Sequence, residues 1–335
     1  MPHQRFPKIE ILSIESHEIR FILSETDTSM ANTLRRIMIA EVPTLAIDLV
    51  EFYENSSVLN DEYIAHRLGL IPLRYQAPDS LRGGDVHAHG AFLPHYECQC
   101  HDGCPRCTVV FELDVDFDRD FAQRNSDEGN NQGDDEIGLM PSLTVSSNDL
   151  VSDNENVAPA HFISTAEAES SHDQGISIVK MGSGQHLHFK AWARMGISKE
   201  HAKWCPVAVA TYRFFPEITI NEEAVSTLTM EQKMELIECC PDQILELDEV
   251  TGKISVCDYV EECATFTEDL QVTQSAMKKK PEDEDFVTVK QSTDRFIFTV
   301  ESTGAMDAEE ILMSSLRVLK DRLNYLALEV QNLKD

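Results

Sequence analysis

The chain has 335 residues, 42% of them apolar, so it can bury a sizeable core and is expected to fold into one or two domains. Its 28 lysines and arginines face 59 aspartates and glutamates, giving a formal net charge of −31, which argues against direct binding of nucleic acid over a broad surface. The sequence contains neither a run of 18 apolar residues nor a signal-peptide core, so we expect a soluble intracellular chain without a membrane span.

The amino-terminal segment has the alternation of a β-hairpin. Apolar residues occupy every second position in two runs. The first run contains Ile9 and Ile11, and the second contains Ile19, Phe21 and Leu23. Polar residues 15–18 lie between the two runs. We therefore predict two adjacent strands with their apolar residues on one face.

A helix pattern follows Asp27. Four apolar residues recur at helical spacing, and they are Met30, Leu34, Ile37 and Met38. Pro43 forbids continuation, so we predict an amphipathic helix over residues 28–40. The other side of this helix carries Asn32, Arg35 and Arg36, which on the residue pattern alone form a solvated polar face.

Further elements are predicted along the rest of the chain. They are a helix over residues 61–68, strands over 108–117, 176–181, 186–194 and 207–215, a helix from residue 229 that ends before Pro241, two short strands around a turn at 248–252, and a last strand through Phe296 and Phe298. Residues 123–138 are too polar and acidic to offset their ordering entropy, so we expect a mobile loop there.

The strongest local signal is a cluster of four cysteines within ten residues, Cys98, Cys100, Cys104 and Cys107. Zn²⁺ accepts four thiolates tetrahedrally, and such short spacings suit it, so we predict one structural zinc ion in a loop over residues 95–108. His95 or His101 is close enough in sequence to replace one thiolate. A closed four-thiolate site has no position for water, whereas a histidine-containing open site would suit a zinc enzyme. The sequence shows no P-loop, dinucleotide fingerprint, nucleophile elbow or HExxH motif, so we identify no catalytic residue.

The carboxyl-terminal residues carry an uninterrupted heptad pattern in a helix predicted over residues 308–335. Its apolar positions, which we call the seam, are Leu312, Leu316, Leu319, Leu323, Leu326, Val330 and Leu333. Part of the seam is expected to pack on the chain's own sheet. A lone domain has little left to cover the last residues, so we predict that a partner helix covers the remainder.

Five motifs together resemble the alpha-like subunits of cellular RNA polymerases. They are Met30–Arg36, Ala40–Ile47, Asn60–Leu73, Gly196–Pro206 and Phe298–Gly304. With the four-cysteine loop, the chain is most similar to the third-largest subunit of eukaryotic RNA polymerase II, and the resemblance spans nearly the whole chain. The subunit shared by polymerases I and III is a more distant fit, because the four-cysteine loop is not expected there.

The resemblance implies an α+β fold with a discontinuous dimerisation domain. Residues 1–42 and 180–335 would form this two-layer alpha/beta domain, and residues 43–179 would form a mostly β insert domain that carries the zinc loop. The stretch over residues 81–96 and the acidic loop over 123–138 are longer than the family pattern, and we expect them to be surface insertions.

The resemblance also implies a non-catalytic assembly subunit in the nucleus. It would form a heterodimer with a smaller alpha-like subunit through the terminal helices, and bind the second-largest subunit and two small zinc-binding subunits. By analogy, the face with Asn32, Arg35 and Arg36 becomes a subunit contact. Two alternatives stay open, the equivalent subunit of a specialised plant-type polymerase and a free zinc-binding adaptor.

Overall fold

The structure is a computed structural model, and it describes residues 6–76, 92–101, 103–121, 142–160, 175–238, 245–248, 253–256, 267–277 and 285–333. The helices are Thr28–Ala40 (α1), Asp61–Gly69 (α2), Glu222–Ser226, Met230–Glu238, Thr267–Met277 and Ala308–Asn332 (the terminal helix), with a short helical segment over residues 117–121. Within these ranges, no helix combines the length and the apolar character needed to cross a lipid bilayer. The acidic loop over 123–138 and most of the stretch over 81–96 lie outside the described residues.

The described strands form two four-stranded sheets and three strand pairs. The strands are β1 (Lys8–Ile14), β2 (Glu18–Ser24), β3 (Pro43–Asn55), β4 (Leu73–Tyr75), β5 (Thr108–Asp116), β6 (Leu143–Ser146), β7 (Val151–Ser152), β8 (Val157–Pro159), β9 (Ser177–Met181), β10 (His186–Ile197), β11 (Val207–Ile220), β12 (Leu245–Leu247), β13 (Ile254–Val256) and β14 (Val287–Ser302). The larger sheets have the orders β1-β2-β14-β11 and β3-β10-β5-β7, and the pairs are β4-β8, β6-β9 and β12-β13. This mixture of helices and sheets confirms the predicted α+β class.

The chain divides into two compact units. One comprises Met1–Ser13, Arg20–Thr33 and Thr211–Thr299, and the other comprises Ile14–Ile19, Leu34–Ala210 and Val300–Asp335.

The first unit contains most of the sheet β1-β2-β14-β11. Phe21 of β2 and Phe298 of β14 are fully buried and stack with ring centroids 4.9 Å apart. The buried side chain of Gln274 donates to the carbonyl of Val287 and accepts from its N–H, which fixes the helix Thr267–Met277 to β14. These bonds satisfy both ends of a buried amide, which would otherwise destabilise the unit.

The predicted hairpin is observed, but its apolar face is only partly buried. Ile19, Phe21 and Leu23 of β2 are buried, whereas Ile9 and Ile11 of β1 are exposed. The sequence pattern shows which residues share a face of a strand, but it does not show how far a covering layer extends, and β1 is the edge strand of its sheet.

The second unit contains the sheet β3-β10-β5-β7, in which β10 is antiparallel to both β3 and β5. Alternate residues of β10 enter the core, and Leu187, Phe189 and Ala191 are fully buried. Ile64 and Leu68 of α2 belong to the same core. This sheet takes β10 from beyond the predicted boundary at residue 180 and β3 and β5 from before it. The division at residues 42 and 180 stays a prediction.

Candidate metal centre and partner interface

The cysteine loop (residues 95–108) brings the four predicted ligands together. The Sγ atoms of Cys98, Cys100, Cys104 and Cys107 all lie within 4.8 Å of one another, and this group can hold a metal ion. Cys107 is buried, and the other three are half-buried.

Local backbone structure explains how so short a loop brings four sulfur atoms together. A 3₁₀ turn over His95–Glu97 precedes Cys98. At the other end, the N–H groups of Cys107 and Thr108 both donate to the carbonyl of Cys104, each at 2.9 Å. Gly103 has a φ of +121°, which side chains disfavour, and an added Cβ would lie 3.0 Å from the hydroxyl of Thr108. The loop then continues directly into β5, whose residues are in the core of the second unit.

The sulfur spacing fits a tetrahedral site. The distances are 3.6 Å between Cys98 and Cys104, 3.4 Å between Cys100 and Cys107, and 3.7 Å between Cys104 and Cys107. Four thiolates at metal–sulfur bonds of about 2.3 Å would be roughly 3.8 Å apart. These three distances are compatible with four sulfurs around one metal ion.

Local hydrogen bonds shift the pKa values of two of the four thiols in opposite directions. The backbone N–H of Arg106 donates to Cys104 and lowers its pKa to about 6. A hydrogen bond with Cys107 raises the pKa of Cys100 to about 12. Because thiolates are the metal-binding form, the lowered pKa of Cys104 favours metal binding at neutral pH, whereas Cys100 has to lose its proton as a cation enters.

The two histidines weighed as alternative ligands lie outside the four-sulfur group. His95 places its Nδ1 3.9 Å from the Sγ of Cys107, at the edge of the cluster, and His101 is exposed. The geometry therefore favours the four-cysteine set, and the choice of ligands stays a prediction.

The terminal helix places the seam in two different environments. Leu312 is 6% exposed, and Leu316 and Leu319 are half-buried. Beyond them, Leu323 is 54% exposed, and Leu326 and Val330 are exposed to a similar degree. Every residue over 320–333 is exposed. At 1.5 Å per residue, this exposed arm is roughly 20 Å long.

The polar face of α1 is accessible in part. Asn32 and Arg35 are half-buried, and Arg36 is exposed. Met30, which the helical spacing predicted to face inward, is exposed. Glu41, immediately after α1, accepts a 2.7 Å bond from Arg322 in the terminal helix. This contact joins the end of α1 to the start of the exposed arm.

The segment around Lys199 to Trp204 has internal contacts that account for its residues. The ammonium of Lys203 lies 2.6 Å from a carboxylate oxygen of Asp48 and 4.4 Å from the centroid of the Trp204 ring. His201 accepts from the backbone N–H of Lys203. The indole of Trp204 packs over Gly196 and donates to the carbonyl of Arg194. These contacts indicate a structural loop.

Comparison with known proteins agrees with this arrangement. The RNA polymerase Rpb3/Rpb11 dimerisation domain matches residues 20–323. The chain belongs to the RNA polymerase Rpb3/Rpb11 family. The match includes the start of the seam, the cysteine loop and every described strand except β1 and the first two residues of β2.

Individual members of the Rpb3/Rpb11 family are similar over most of their length. The chain is 40% identical to the DNA-directed RNA polymerases II, IV and V subunit 3 of Arabidopsis thaliana, over 96% of this chain and 91% of that protein. It is 39% identical to the RNA polymerase II subunit rpb3 of Dictyostelium discoideum, over 95% and 93%. It is 32% identical to the RNA polymerases I and III subunit RPAC1 of Saccharomyces cerevisiae, over 95% and 86%. These findings confirm the resemblance to the third-largest subunit.

Sequence reasoning found the cysteines by their spacing and the seam by its heptads. It missed the pairing of Lys203 with Asp48, because these residues are distant in the chain and become neighbours only when β3 and the loop after β10 meet. A lysine next to a tryptophan was the available signal.

Proposed function

We propose that the chain is a non-catalytic assembly subunit of nuclear DNA-directed RNA polymerase II. It forms a heterodimer with a smaller alpha-like subunit and docks the second-largest subunit and two small zinc-binding subunits for mRNA synthesis. Its contribution is architectural: it holds the catalytic subunits in register.

One observation carries this proposal, namely the exposed half of the seam. Leu323, Leu326 and Val330 lie at heptad positions on an arm that the chain's own described residues do not cover. Fully burying each leucine contributes about 1.5–3 kcal/mol, so a partner helix along the arm gains enough to offset part of the association entropy. The partner is an alpha-like chain because the family is defined by its dimerisation domain.

We assign the partly exposed polar face of α1 to the same interface. Asn32, Arg35 and Arg36 lie on this helix, and the bond between Glu41 and Arg322 links its end to the arm. A partner that lies along the arm therefore meets the end of α1. Partly exposed arginines supply directional hydrogen bonds at the edge of such an apolar contact.

We assign the metal site to one structural zinc ion held by Cys98, Cys100, Cys104 and Cys107. The support is the sulfur spacing, which agrees with tetrahedral thiolate coordination. Four protein ligands leave no coordination position for water, so the ion orders the loop and does not activate a substrate. In this proposal the loop belongs to an insert domain over residues 43–179, and the dimerisation domain comprises residues 1–42 and 180–335.

The equivalent subunit of a specialised polymerase is the alternative that a specific observation favours. The Arabidopsis relative carries a name that covers polymerases II, IV and V. A single relative of this kind serves several polymerases, and the chain can do the same. A free zinc-binding adaptor would have to remain a stable monomer with its seam exposed, which is an aggregation liability.

Affinity purification through a tag on the full-length chain tests the proposal. We expect a small alpha-like protein and the two largest polymerase subunits in the eluate, which should synthesise RNA from a DNA template. Mass spectrometry of the largest subunit distinguishes polymerase II from a specialised polymerase. Recovery of a monodisperse monomer without these partners would contradict the proposal.

A further inference from the structure

Cys107 carries the most buried sulfur of the cysteine loop. It is 0% exposed, whereas Cys98, Cys100 and Cys104 are half-buried. Four thiolates around one divalent zinc ion leave the site with an overall negative charge. A buried charge lowers stability unless hydrogen-bond donors face it. Among the four sulfurs, that of Cys107 therefore depends most on donors from the protein.

Backbone N–H groups supply donors to two of the other sulfurs. The N–H of Gly103 donates to Cys100, and the N–H of Arg106 donates to Cys104. These donors belong to the loop backbone, so they follow from its course and not from the side chains that it carries. The surroundings of Cys107 differ, because the chain enters β5 directly after it.

Thr108, the first residue of β5, faces the sulfur of Cys107 with its hydroxyl. Its N–H is already used, because it donates to the carbonyl of Cys104 at 2.9 Å. Its Oγ1 lies 3.3 Å from the Sγ of Cys107, and the residue is only 5% exposed. Gly103 leaves room for this hydroxyl, since an added Cβ there would lie 3.0 Å from it. A metal-bound thiolate has no proton to give, so the hydroxyl is the donor.

His95 lies near the same sulfur. It belongs to the turn His95–Glu97 that opens the loop, and its Nδ1 is 3.9 Å from the Sγ of Cys107. The imidazole directs an N–H at the sulfur when its proton is on Nδ1. This contact is longer than that of the Thr108 hydroxyl, so we expect it to contribute less. Two side chains are thus placed to donate to Cys107.

We propose that Thr108 and His95 are positioning residues of the metal site, which donate hydrogen bonds to the Cys107 thiolate and thereby help to retain the ion. The proposal rests on the proposed function, because it takes the four-cysteine zinc site as given. The two donors stabilise the charge of the buried sulfur and fix its direction toward the ion. Groups of this kind, which touch the ligands and not the metal, typically change metal affinity by about 10–100-fold.

The rate of zinc transfer to a chromogenic chelator tests whether the hydroxyl helps to retain the ion. The full-length chain is loaded with Zn²⁺ and mixed with the chelator. Thr108→Val keeps the shape of the side chain but removes the hydroxyl, so we expect transfer to be about tenfold faster. Thr108→Ser keeps the hydroxyl and should release zinc at nearly the rate of the unaltered chain.

Co²⁺ in place of Zn²⁺ gives a readout that a purely structural role would not change. A hydrogen bond to a thiolate stabilises the sulfur electrons, so its loss lowers the energy of the sulfur-to-cobalt charge-transfer band. We expect this band to shift to longer wavelength in Thr108→Val and, by a smaller amount, in His95→Leu. It should stay in place in Thr108→Ser.

Thr44→Val is the matched control. Thr44 of β3 is 3% exposed, and its hydroxyl donates to the carbonyl of Trp204 at 2.8 Å. This substitution also removes a buried hydroxyl from a strand of the same sheet, but one that bonds to a carbonyl and not to a sulfur of the cluster. We expect Thr44→Val to destabilise the chain and to leave the zinc transfer rate and the cobalt spectrum unchanged.

An unaltered transfer rate and an unshifted band in Thr108→Val would overturn the proposal. Equal changes in Thr108→Val and Thr44→Val would overturn it too, because they would indicate a loss of stability alone. If Thr108→Val does not fold, the band of His95→Leu decides in the same way, and complete loss of the metal in His95→Leu would make His95 a ligand and not a donor. If the unaltered chain takes up no zinc, the metal assignment under the proposed function fails first, and this proposal fails with it.

Discussion

Gly196 illustrates how a single residue fixes the loop after β10. A Cβ at this position would lie 2.5 Å from the indole of Trp204, a distance that requires the ring or the backbone to move. We expect Gly196→Ala to lower the free energy of unfolding by about 1–3 kcal/mol through overpacking. Urea unfolding measures the effect. Gly182→Ala is the matched control, because its Cβ would come no closer than 4.0 Å to a side-chain oxygen of Gln185. Equal stability of the two variants would contradict this view of the loop.

Cys104 is the residue on which the metal site is most directly tested. Cys104→Ser removes one of the four proposed ligands, so we expect the zinc content of the purified chain to fall and residues 95–108 to exchange their amide hydrogens rapidly. Elemental analysis and hydrogen exchange measure these effects. Cys205→Ser, at a cysteine outside the cluster, should retain the metal. If Cys104→Ser keeps a full equivalent of zinc, the ligand set is wrong, and if it unfolds globally, the loop is not a local unit.

His186 makes the stability of the second unit depend on pH. A hydrogen bond with Asp114 raises the pKa of His186, and Glu54 acts in the same direction. The stabilisation is therefore fully present below the ordinary histidine pKa of 6.5 and is lost as pH rises through the higher folded-state value. The same bond lowers the pKa of Asp114. The stabilisation that comes from the Asp114 carboxylate is therefore lost only when the pH falls far enough to protonate it.

We expect His186→Gln to cost about 0.5–1 kcal/mol at pH 6 and less at pH 9, since the pair is partly exposed. Urea unfolding followed by tryptophan fluorescence reports this unit, because Trp192 and Trp204 both lie within it. A cost that is the same at both values of pH would show that the ion pair contributes nothing.

At the scale of elements, the terminal helix carries the predicted interface, and substitutions can test its seam face and another face separately. Leu323→Asp places a carboxylate in the seam, so we expect affinity for the alpha-like subunit to fall at least about tenfold, because about 1.5–3 kcal/mol of leucine burial is lost. Leu328→Asp makes the same change at a similarly exposed position five residues along, about 140° around the helix.

Titration of the two variants against the alpha-like subunit measures the difference. Binding by Leu328→Asp should remain close to that of the unaltered chain. If both variants bind normally, the interface lies elsewhere, and if both fail equally, the partner surrounds the arm and does not follow the seam alone.

Helices and strands were predictable where apolar residues recur at a regular spacing and the contacting residues are close in the sequence. The helix predicted over 28–40 is Thr28–Ala40, and the strand predicted over 186–194 is observed as His186–Ile197. Ile9, Ile11 and Met30 differ, because a period identifies a face but not whether another layer covers it. The cysteine site was predictable because all four ligands lie within ten residues. The pairing of Lys203 with Asp48 was not, because these residues are distant in the chain and meet only in the folded structure.

At the scale of the whole molecule, charge and exposure point to the same role. A net charge of −31 disfavours contact with the nucleic-acid backbone, and an apolar arm that the described residues leave exposed is the kind of surface that a partner covers. We expect the chain to be more stable in the heterodimer than alone, because burial of the arm adds to its free energy of unfolding.

The mass of the smallest stable complex that contains the full-length chain tests this account most directly. Native mass spectrometry after mild dissociation of the tagged complex should show one copy of this chain with one copy of a smaller alpha-like protein. Leu323→Asp should remove that species. A monomer or a homodimer of this chain as the smallest stable form, with the arm still exposed to hydrogen exchange, would contradict the account.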